Sequence, residues 1–328
     1  MAIKYVYILV SDETDCYLEQ ALMSITSLKI HMPNAFVSLL TDDSTGATLS
    51  DKRRNILNFV DELKIIKIDS KFNKKMRSRW LKTSMRKYIE GDFFYIDCDT
   101  IISEDLSDIE VLDVNLGAVL DYHITLKNLP FKELLQNNGK MLGFNSTFVS
   151  DKYFNTGIIF CRDTSTCHNF FYEWHRLWLH CVEKGIITDQ LPFNHANYLL
   201  TNQITELDGK WNCQIVTVGM LRYLHTAKVL HYFYSIRIHE EKKPYLLANQ
   251  CIFENIKKTI TINQELKNML VNPKYLFVPN SRLAVRNEFD NSKSYIMAKK
   301  IFGSKFGVGI ELMLSLVYKF KKLKKAII

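Results

Sequence analysis

Short apolar runs alternate with amphipathic stretches through the first hundred residues. Tyr5–Val10 is apolar and rich in Tyr, Ile and Val, the pattern of a buried strand. Across residues 16–31, Leu18, Leu22, Ile25 and Leu28 fall on one stripe and predict a helix. Phe36–Leu40 reads as a second strand, closed by the polar turn Thr41-Asp42-Asp43-Ser44, and Leu63–Ile68 as a third, with helical character over Ser50–Phe59 between them. Residues 78–90 predict a further helix with Gly91 as its C-cap, followed by a fourth strand at Phe93–Ile96. Further on, Leu116–Leu120 reads as a strand ending at Asp121-Tyr122-His123, and residues 145–151 as a loop. Phe154-Asn155-Thr156-Gly157 opens a strand that continues through 158–161, residues 165–184 form a long aromatic-rich helix, and Val229–Phe233 is a short late strand with His231 at its centre. Strands alternating with helices imply an α/β chain whose mostly parallel sheet is covered on both faces. Ligands of such sheets bind beyond the carboxyl ends of the strands. There is no internal repeat and no apolar run of the length a bilayer needs.

The chemistry concentrates where the fourth strand ends. Phe93-Phe94-Tyr95-Ile96 delivers Asp97-Cys98-Asp99 into apolar surroundings. In a strand the side-chain period of two turns Asp97 and Asp99 to one side and Cys98 to the other. Two adjacent carboxylates repel unless one is protonated or a cation lies between them. A hard divalent ion fits that need and leaves room for phosphate oxygens, so the pair points to a metal-bound diphosphate. The competing reading is turn chemistry, with each Asp accepting backbone N–H bonds.

Composition narrows the class. The 328 residues allow one large α/β domain or two domains, and 47% apolar residues supply an ample core. Seven cysteines without a C-x-x-C pair suit reduced thiols in a cytosolic setting, and the N-terminus runs into a strand with no secretory signal pattern. Of the net charge of +8, eight lysines against the single Glu311 from Lys299 onward contribute +7, leaving about +1 for residues 1–298. A nearly neutral body argues against bulk electrostatic binding of nucleic acid.

Seven segments now line up in order: Ser24-Ile25, Leu81-Lys82 with Tyr88-Ile89, Tyr95-Ile96-Asp97-Cys98-Asp99-Thr100, Leu116-Gly117-Ala118, Tyr153-Phe154-Asn155-Thr156-Gly157, Thr188-Asp189-Gln190 and His231-Tyr232. Together they resemble the family 8 glycosyltransferases, over roughly residues 3–235. The resemblance implies a single Rossmann-like domain of the GT-A type over 1–260, with a nucleotide-sugar half to about 110 and an acceptor half from 111. A C-terminal helical extension, 261–328, follows. It implies transfer of a hexose, galactose or glucose, from a UDP-sugar with retention of anomeric configuration, using Mn²⁺ or, alternatively, Mg²⁺. Asp97, Asp99 and His231 are then the metal ligands. Asp121, Asp189 and Gln190 are the catalytic set near the donor sugar, with Asn155 in the same pocket. Ser11, Asp12, Lys82 and Cys98 join Asp97 among the donor contacts. Bland readings stand beside these. His231 can be a core histidine satisfied by the backbone, and buried Asn, Asp and Gln can be structural hydrogen-bond partners. Arg79 and Arg86 flank Lys82 at i−3 and i+4, so one helix face either presents three cations to the diphosphate or is a solvated basic face.

The chain departs from the family pattern in two places. After His231-Tyr232 there is no Gly, and Arg237 stands where a Lys is expected, with Lys243-Pro244 six residues later. Either Arg237 or Lys243 is the late phosphate contact. After the first strand, Ser11-Asp12-Glu13-Thr14 lacks the aromatic that stacks near uracil in the family. In the tail, Ile310, Met313, Leu314, Val317, Phe320 and Leu323 recur at three- and four-residue spacing beside clustered lysines. A basic amphipathic helix of this kind suits an anionic membrane surface, which places the enzyme peripherally at the cytoplasmic face near an oligosaccharide or lipid-linked acceptor of surface polysaccharide or lipopolysaccharide synthesis. The alternative is a helix packed on the body. Two rival functions are a sugar-1-phosphate nucleotidyltransferase, disfavoured because Asp12–Leu18 holds no phosphate-loop glycine, and a catalytically silent carbohydrate-binding protein on the same fold.

Overall fold

The structure, a computed structural model, describes residues 3–215, 217–233 and 245–278, with isolated positions between 297 and 313. The chain divides into two compact units, 1–283 and 284–328. In the first, β1 (Lys4–Leu9) leads into α1 (Tyr17–His31), β2 (Phe36–Asp42), the short α2 (Asp43–Thr48), β3 (Glu62–Ile66) and α3 (Lys74–Ser84). Next come β4 (Phe93–Ile96), β5 (Thr100–Ile102), β6 (Leu116–Leu120), α4 (Lys132–Leu142), β7 (Phe154–Cys161), α5 (Ser165–Glu183) and α6 (Gln190–Leu199). The short strands β8 (Thr205–Glu206), β9 (Cys213–Gln214) and β10 (Val229–His231) precede α7 (Gln250–Thr259) and α8 (Gln264–Val271).

The main sheet has the order β3-β2-β1-β4-β7-β6-β8, and β7 alone runs against its neighbours. The fold class is therefore the expected one, a mostly parallel sheet in an α/β chain. Its strands read as continuous apolar runs because both faces are buried. On β1, Tyr5, Tyr7 and Leu9 enter one apolar cluster, which they share with α1, α7 and α8. Val6 and Ile8 enter the other, shared with α3, α5 and α6. A second sheet, β5-β10-β9, lies beyond the end of β4, with β10 antiparallel to β5 and parallel to β9. It is this sheet that carries His231 back toward the aspartates. Residues 245–270 close the first apolar cluster through Tyr245, Phe253, Ile256, Leu266 and Leu270.

Local expectations need correction in three places. The helix expected over 78–90 begins at Lys74, where Asn73 accepts from Met76 N–H as its N-cap, and ends at Ser84 in a 3₁₀ turn over 85–87. Gly91 is thus not a C-cap. It occupies the turn into β4 at φ +79°, a conformation open to glycine. Residues 145–149 form a 3₁₀ turn rather than an open loop. The polar turn expected at Thr41–Ser44 is taken up by the end of β2 and the start of α2, whose N-cap is Asp42.

Among the described residues no helix is long and apolar enough to cross a membrane. The tail's amphipathic stripe lies outside the described residues apart from isolated positions such as Ile310 and Met313.

Candidate active site

Asp97, Cys98 and Asp99 lie in a bend between β4 and β5 and not on a strand. The period-two argument is therefore not what brings the two carboxylates together. The bend is fixed by its own backbone. Asp97 N–H donates to Gly157 O at 2.8 Å, and Tyr232 N–H donates to Asp99 O at 3.1 Å. Thr100 Oγ1 donates to Asp97 O at 2.8 Å. The second of these bonds ties the bend to the residue after His231, so strand pairing places the histidine beside the aspartates. One ligand atom from each of Asp97, Asp99 and His231 lies within 4.8 Å of the others.

His231 is buried. Its Nε2 is 3.2 Å from Asp99 Oδ1 and its Nδ1 is 3.1 Å from Asn212 Oδ1. The ring thus meets side chains on both edges. The donor set of two carboxylates and one imidazole nitrogen fits a divalent ion, whose octahedral ligands about 2.1 Å away stand about 3 Å from one another. Gly157 makes this approach possible. A Cβ there would come within 2.3 Å of His231 Cε1, 2.7 Å of Nδ1 and 2.9 Å of Asn155 Oδ1.

Two of the three expected cations reach the site. Lys82, buried on α3, donates to Asp97 at 3.0 and 3.2 Å and lies 3.3 Å from Asp189 Oδ2. Arg79 Nε lies 2.8 Å from Asp189 Oδ1, a close charge contact without hydrogen-bond alignment. Tyr95 OH also donates to Asp97. Arg86 does not join them. The helix tightens at Ser84, and the Arg86 guanidinium is buried instead over the Phe93 ring, donating to the carbonyls of Ile89 and Gly91. Burial alone would push the Asp189 carboxyl up, but Lys82 and Arg79 outweigh it and hold the group well below the usual carboxylate range. For Arg79, burial is likewise outweighed by Asp189 and Asp97, and the guanidinium is held more firmly protonated.

The remaining polar residues form one buried network. Asn155 Nδ2 donates to Asp121 Oδ1 at 2.9 Å, and Gln190 Nε2 donates to Asp121 Oδ2 at 2.8 Å. Burial lifts the Asp121 carboxyl to about 6, against the opposing pull of those two bonds. Asp189 accepts from Thr156 Oγ1 at 2.9 Å. Its main chain is anchored by Trp174, fully buried on α5, whose Nε1–H donates to Asp189 O at 2.8 Å. Asn194 Nδ2 donates to Gln190 O and Phe154 O, both at 2.9 Å, and so stitches the start of α6 to β7.

At the end of β1, Ser11 Oγ donates to Asp15 Oδ1 at 2.7 Å, and Asp12 accepts from Thr14 N–H at 2.8 Å and pairs with Lys74 at 2.5 Å. These contacts hold the Asp12 carboxyl well below its ordinary value, the Lys74 hydrogen bond first among them. Cys98 Sγ is turned onto Ile8 O at 3.2 Å, and burial pushes its thiol far up. Arg237 and Lys243 lie outside the described residues.

Several contributors carry no sequence signal. Asn212 and Trp174 occupy ordinary polar or aromatic positions. Arg53 donates to Asp12 O and Ser11 Oγ, both at 3.1 Å, from a segment that reads only as helical. Tyr17 stands close enough to Arg79 and Asp99 to feel both charges, while burial raises its hydroxyl.

No family model and no curated protein matches this chain. Among solved structures it is similar to the galactosyltransferase LgtC in complex with donor and acceptor sugar analogues, at 14% identity and a TM-score of 0.47, covering 81% of this chain and 99% of that one. It is similar to mouse xyloside xylosyltransferase 1 in its apo form, at 10% identity and a TM-score of 0.46, covering 70% and 97%. The glycosyltransferase GlyE of Streptococcus pneumoniae TIGR4 is similar at 18% identity and a TM-score of 0.45, covering 86% and 66%.

Proposed function

We propose that the protein is a metal-dependent retaining glycosyltransferase of the family 8 type. It transfers a hexose, galactose or glucose, from a UDP-sugar to an oligosaccharide or lipid-linked saccharide of bacterial surface polysaccharide or lipopolysaccharide. The observation that carries this reading is the convergence of Asp97, Asp99 and His231 beside a buried Lys82 and the Asp121–Asn155–Gln190 network. Those three residues would hold the ion, and the imidazole nitrogen favours Mn²⁺ over Mg²⁺. When bound, such an ion neutralises the diphosphate leaving group, so departure needs no proton donor.

The chain's own residues supply the rest. Lys82 and Arg79 set a fixed positive field beside the diphosphate site without having to reorganise. They also keep Asp189 ionised, so it accepts hydrogen bonds from the sugar and opposes positive charge growing at the anomeric carbon. Asp121, gripped by Asn155 and Gln190, holds a hydroxyl on the same sugar. The Gln190 side chain has its Nε2 committed to Asp121, and its carbonyl, which accepts only a long 3.4 Å bond from Asn155 Nδ2, turns its second lone pair to the oxocarbenium-like centre. The acceptor hydroxyl attacks from the leaving-group side and passes its proton to the departing phosphate oxygen.

A thermal-shift panel of UDP-sugars tests the reading. The true donor raises the melting point only when Mn²⁺ is present. Asp99→Asn should keep the fold and abolish both transfer and the metal-dependent shift. Normal turnover by that variant would remove the metal assignment.

The lysine-rich tail is proposed to bind anionic membrane. Truncation after Ser304 should release the protein from anionic liposomes and spare UDP-sugar hydrolysis. Undiminished liposome binding speaks against it.

A further inference from the structure

We propose that Asn212 is the positioning residue of the metal site. It fixes His231 in the tautomer with the proton on Nδ1, so that Nε2 offers its lone pair to the ion. This rests on the reading that Asp97, Asp99 and His231 hold a divalent cation.

The assignment follows from a chain of forced hydrogen-bond directions that starts at a backbone amide. Gly157 N–H can only donate, and it meets Asn155 Oδ1 at 2.8 Å. The Asn155 amide is therefore oriented, with its Nδ2 toward Asp121 at 2.9 Å, as a carboxylate requires. Asn155 Oδ1 also faces Asn212 at 2.9 Å, so the Asn212 atom there must be Nδ2. That leaves Asn212 Oδ1 against His231 Nδ1 at 3.1 Å, and an oxygen there requires N–H on Nδ1. Turning the Asn212 amide over would set two oxygens against each other inside a fully buried cluster.

The consequence falls on the other edge of the ring. With Nδ1 protonated, the neutral imidazole presents an unprotonated Nε2 toward Asp99 Oδ1, 3.2 Å away. Two acceptors at that separation repel unless a proton or a metal cation lies between them. The ring cannot swing aside. Gly157 leaves no spare room against one side, and the Phe233 ring is 4.0 Å from it, centroid to centroid. Asn212 thus plays the part that outer-shell partners of metal-bound histidines play generally, fixing orientation and raising basicity. It is fully buried and one residue before β9, the strand that pairs with β10, so its distance to His231 is set by sheet register.

Nitrogen-15 NMR of the unliganded, histidine-labelled protein at mildly alkaline pH reads the tautomer directly, with the His231 signals identified by their loss in His231→Gln. Protonation at Nδ1 is the expected result, and protonation at Nε2 overturns the proposal even if no variant folds. Mn²⁺ binding is then measured by electron paramagnetic resonance, without any sugar nucleotide. Asn212→Leu should weaken binding by about tenfold to a hundredfold. Asn212→Asp retains an acceptor for Nδ1–H but turns its second oxygen on Asn155 Oδ1, so it should melt lower while still binding Mn²⁺ to within about threefold of wild type. Equal loss of affinity in both variants would assign Asn212 a purely structural role. Normal metal binding with no UDP-sugar turnover would overturn the transferase reading and leave this one standing.

Discussion

Lys82 donates to both oxygens of Asp97, at 3.0 and 3.2 Å, while its ammonium lies 3.3 Å from Asp189. One buried cation therefore serves two carboxylates, one beside the candidate metal group and one beside the Thr156–Trp174 anchor. Removing one partner of a buried pair leaves an uncompensated charge. Lys82→Met keeps most of the length of the side chain and discards the charge, so it should cost roughly 3 kcal/mol of stability. The loss should be smaller in Mn²⁺ than in chelator, because a divalent ion can neutralise Asp97 in place of the ammonium. Urea unfolding with and without Mn²⁺ measures this. Equal stability of variant and wild type in chelator would mean that Lys82 does not bridge the carboxylates.

Gly157 makes a separate prediction. Its missing side chain is the space into which the His231 ring fits, and an added Cβ would approach Cε1 to 2.3 Å. The obstructing atoms belong to a buried ring held at Nδ1 by Asn212 and packed against the Phe233 ring, so they cannot yield cheaply. Gly157→Ala should lower stability by about 1–3 kcal/mol and weaken Mn²⁺ binding more than any surface substitution of equal size. Melting temperature and Mn²⁺ titration report the two effects. A variant with unaltered metal affinity would show that His231 does not need this position to bind the ion.

These residues were not equally legible in the sequence. Fully apolar runs gave away the central strands, because each strand is buried on both faces and alternate residues enter two different cores. Asp97 and Asp99 were legible as chemistry, although the geometry invoked for them was wrong. They converge through a backbone bend, whose bonds to Gly157 and Tyr232 no local pattern announces. Lys82 came from the family resemblance, and Arg79 from its helical spacing to Lys82. Arg86 did not, because the helix tightens after Ser84 and turns its side chain into the core beneath Gly91. Asn212 was invisible. Its importance comes from the register of β9 on β10, which pairs positions 17 residues apart and so sets a contact 19 residues apart that no period of 2 or 3.6 encodes.

Asp121 ties pH to both stability and activity. Its carboxyl is lifted by burial to about 6, above the 3.8 of an unperturbed aspartate. Between those values the folded chain holds a proton that the unfolded chain has released. This group's stabilising contribution is therefore complete in acid and is lost as pH rises through about 6. At neutral pH, keeping the ionised carboxylate buried costs up to about 3 kcal/mol. Asp121→Asn has no charge to bury, so its melting temperature should gain on that of the wild type between about pH 4 and pH 6 and hold the gain above that. Transfer runs the other way. The ionised carboxylate is the form that accepts from both Asn155 and Gln190, and on the proposed function it is the form that aligns the sugar, so wild-type kcat/KM should rise through about pH 6. The variant should be slow at every pH and show no such limb. A wild-type profile that is flat from about pH 5 to pH 8, with the melting difference between the two proteins also constant, would mean that Asp121 does not titrate in this range and that its charge is not what the sugar site depends on.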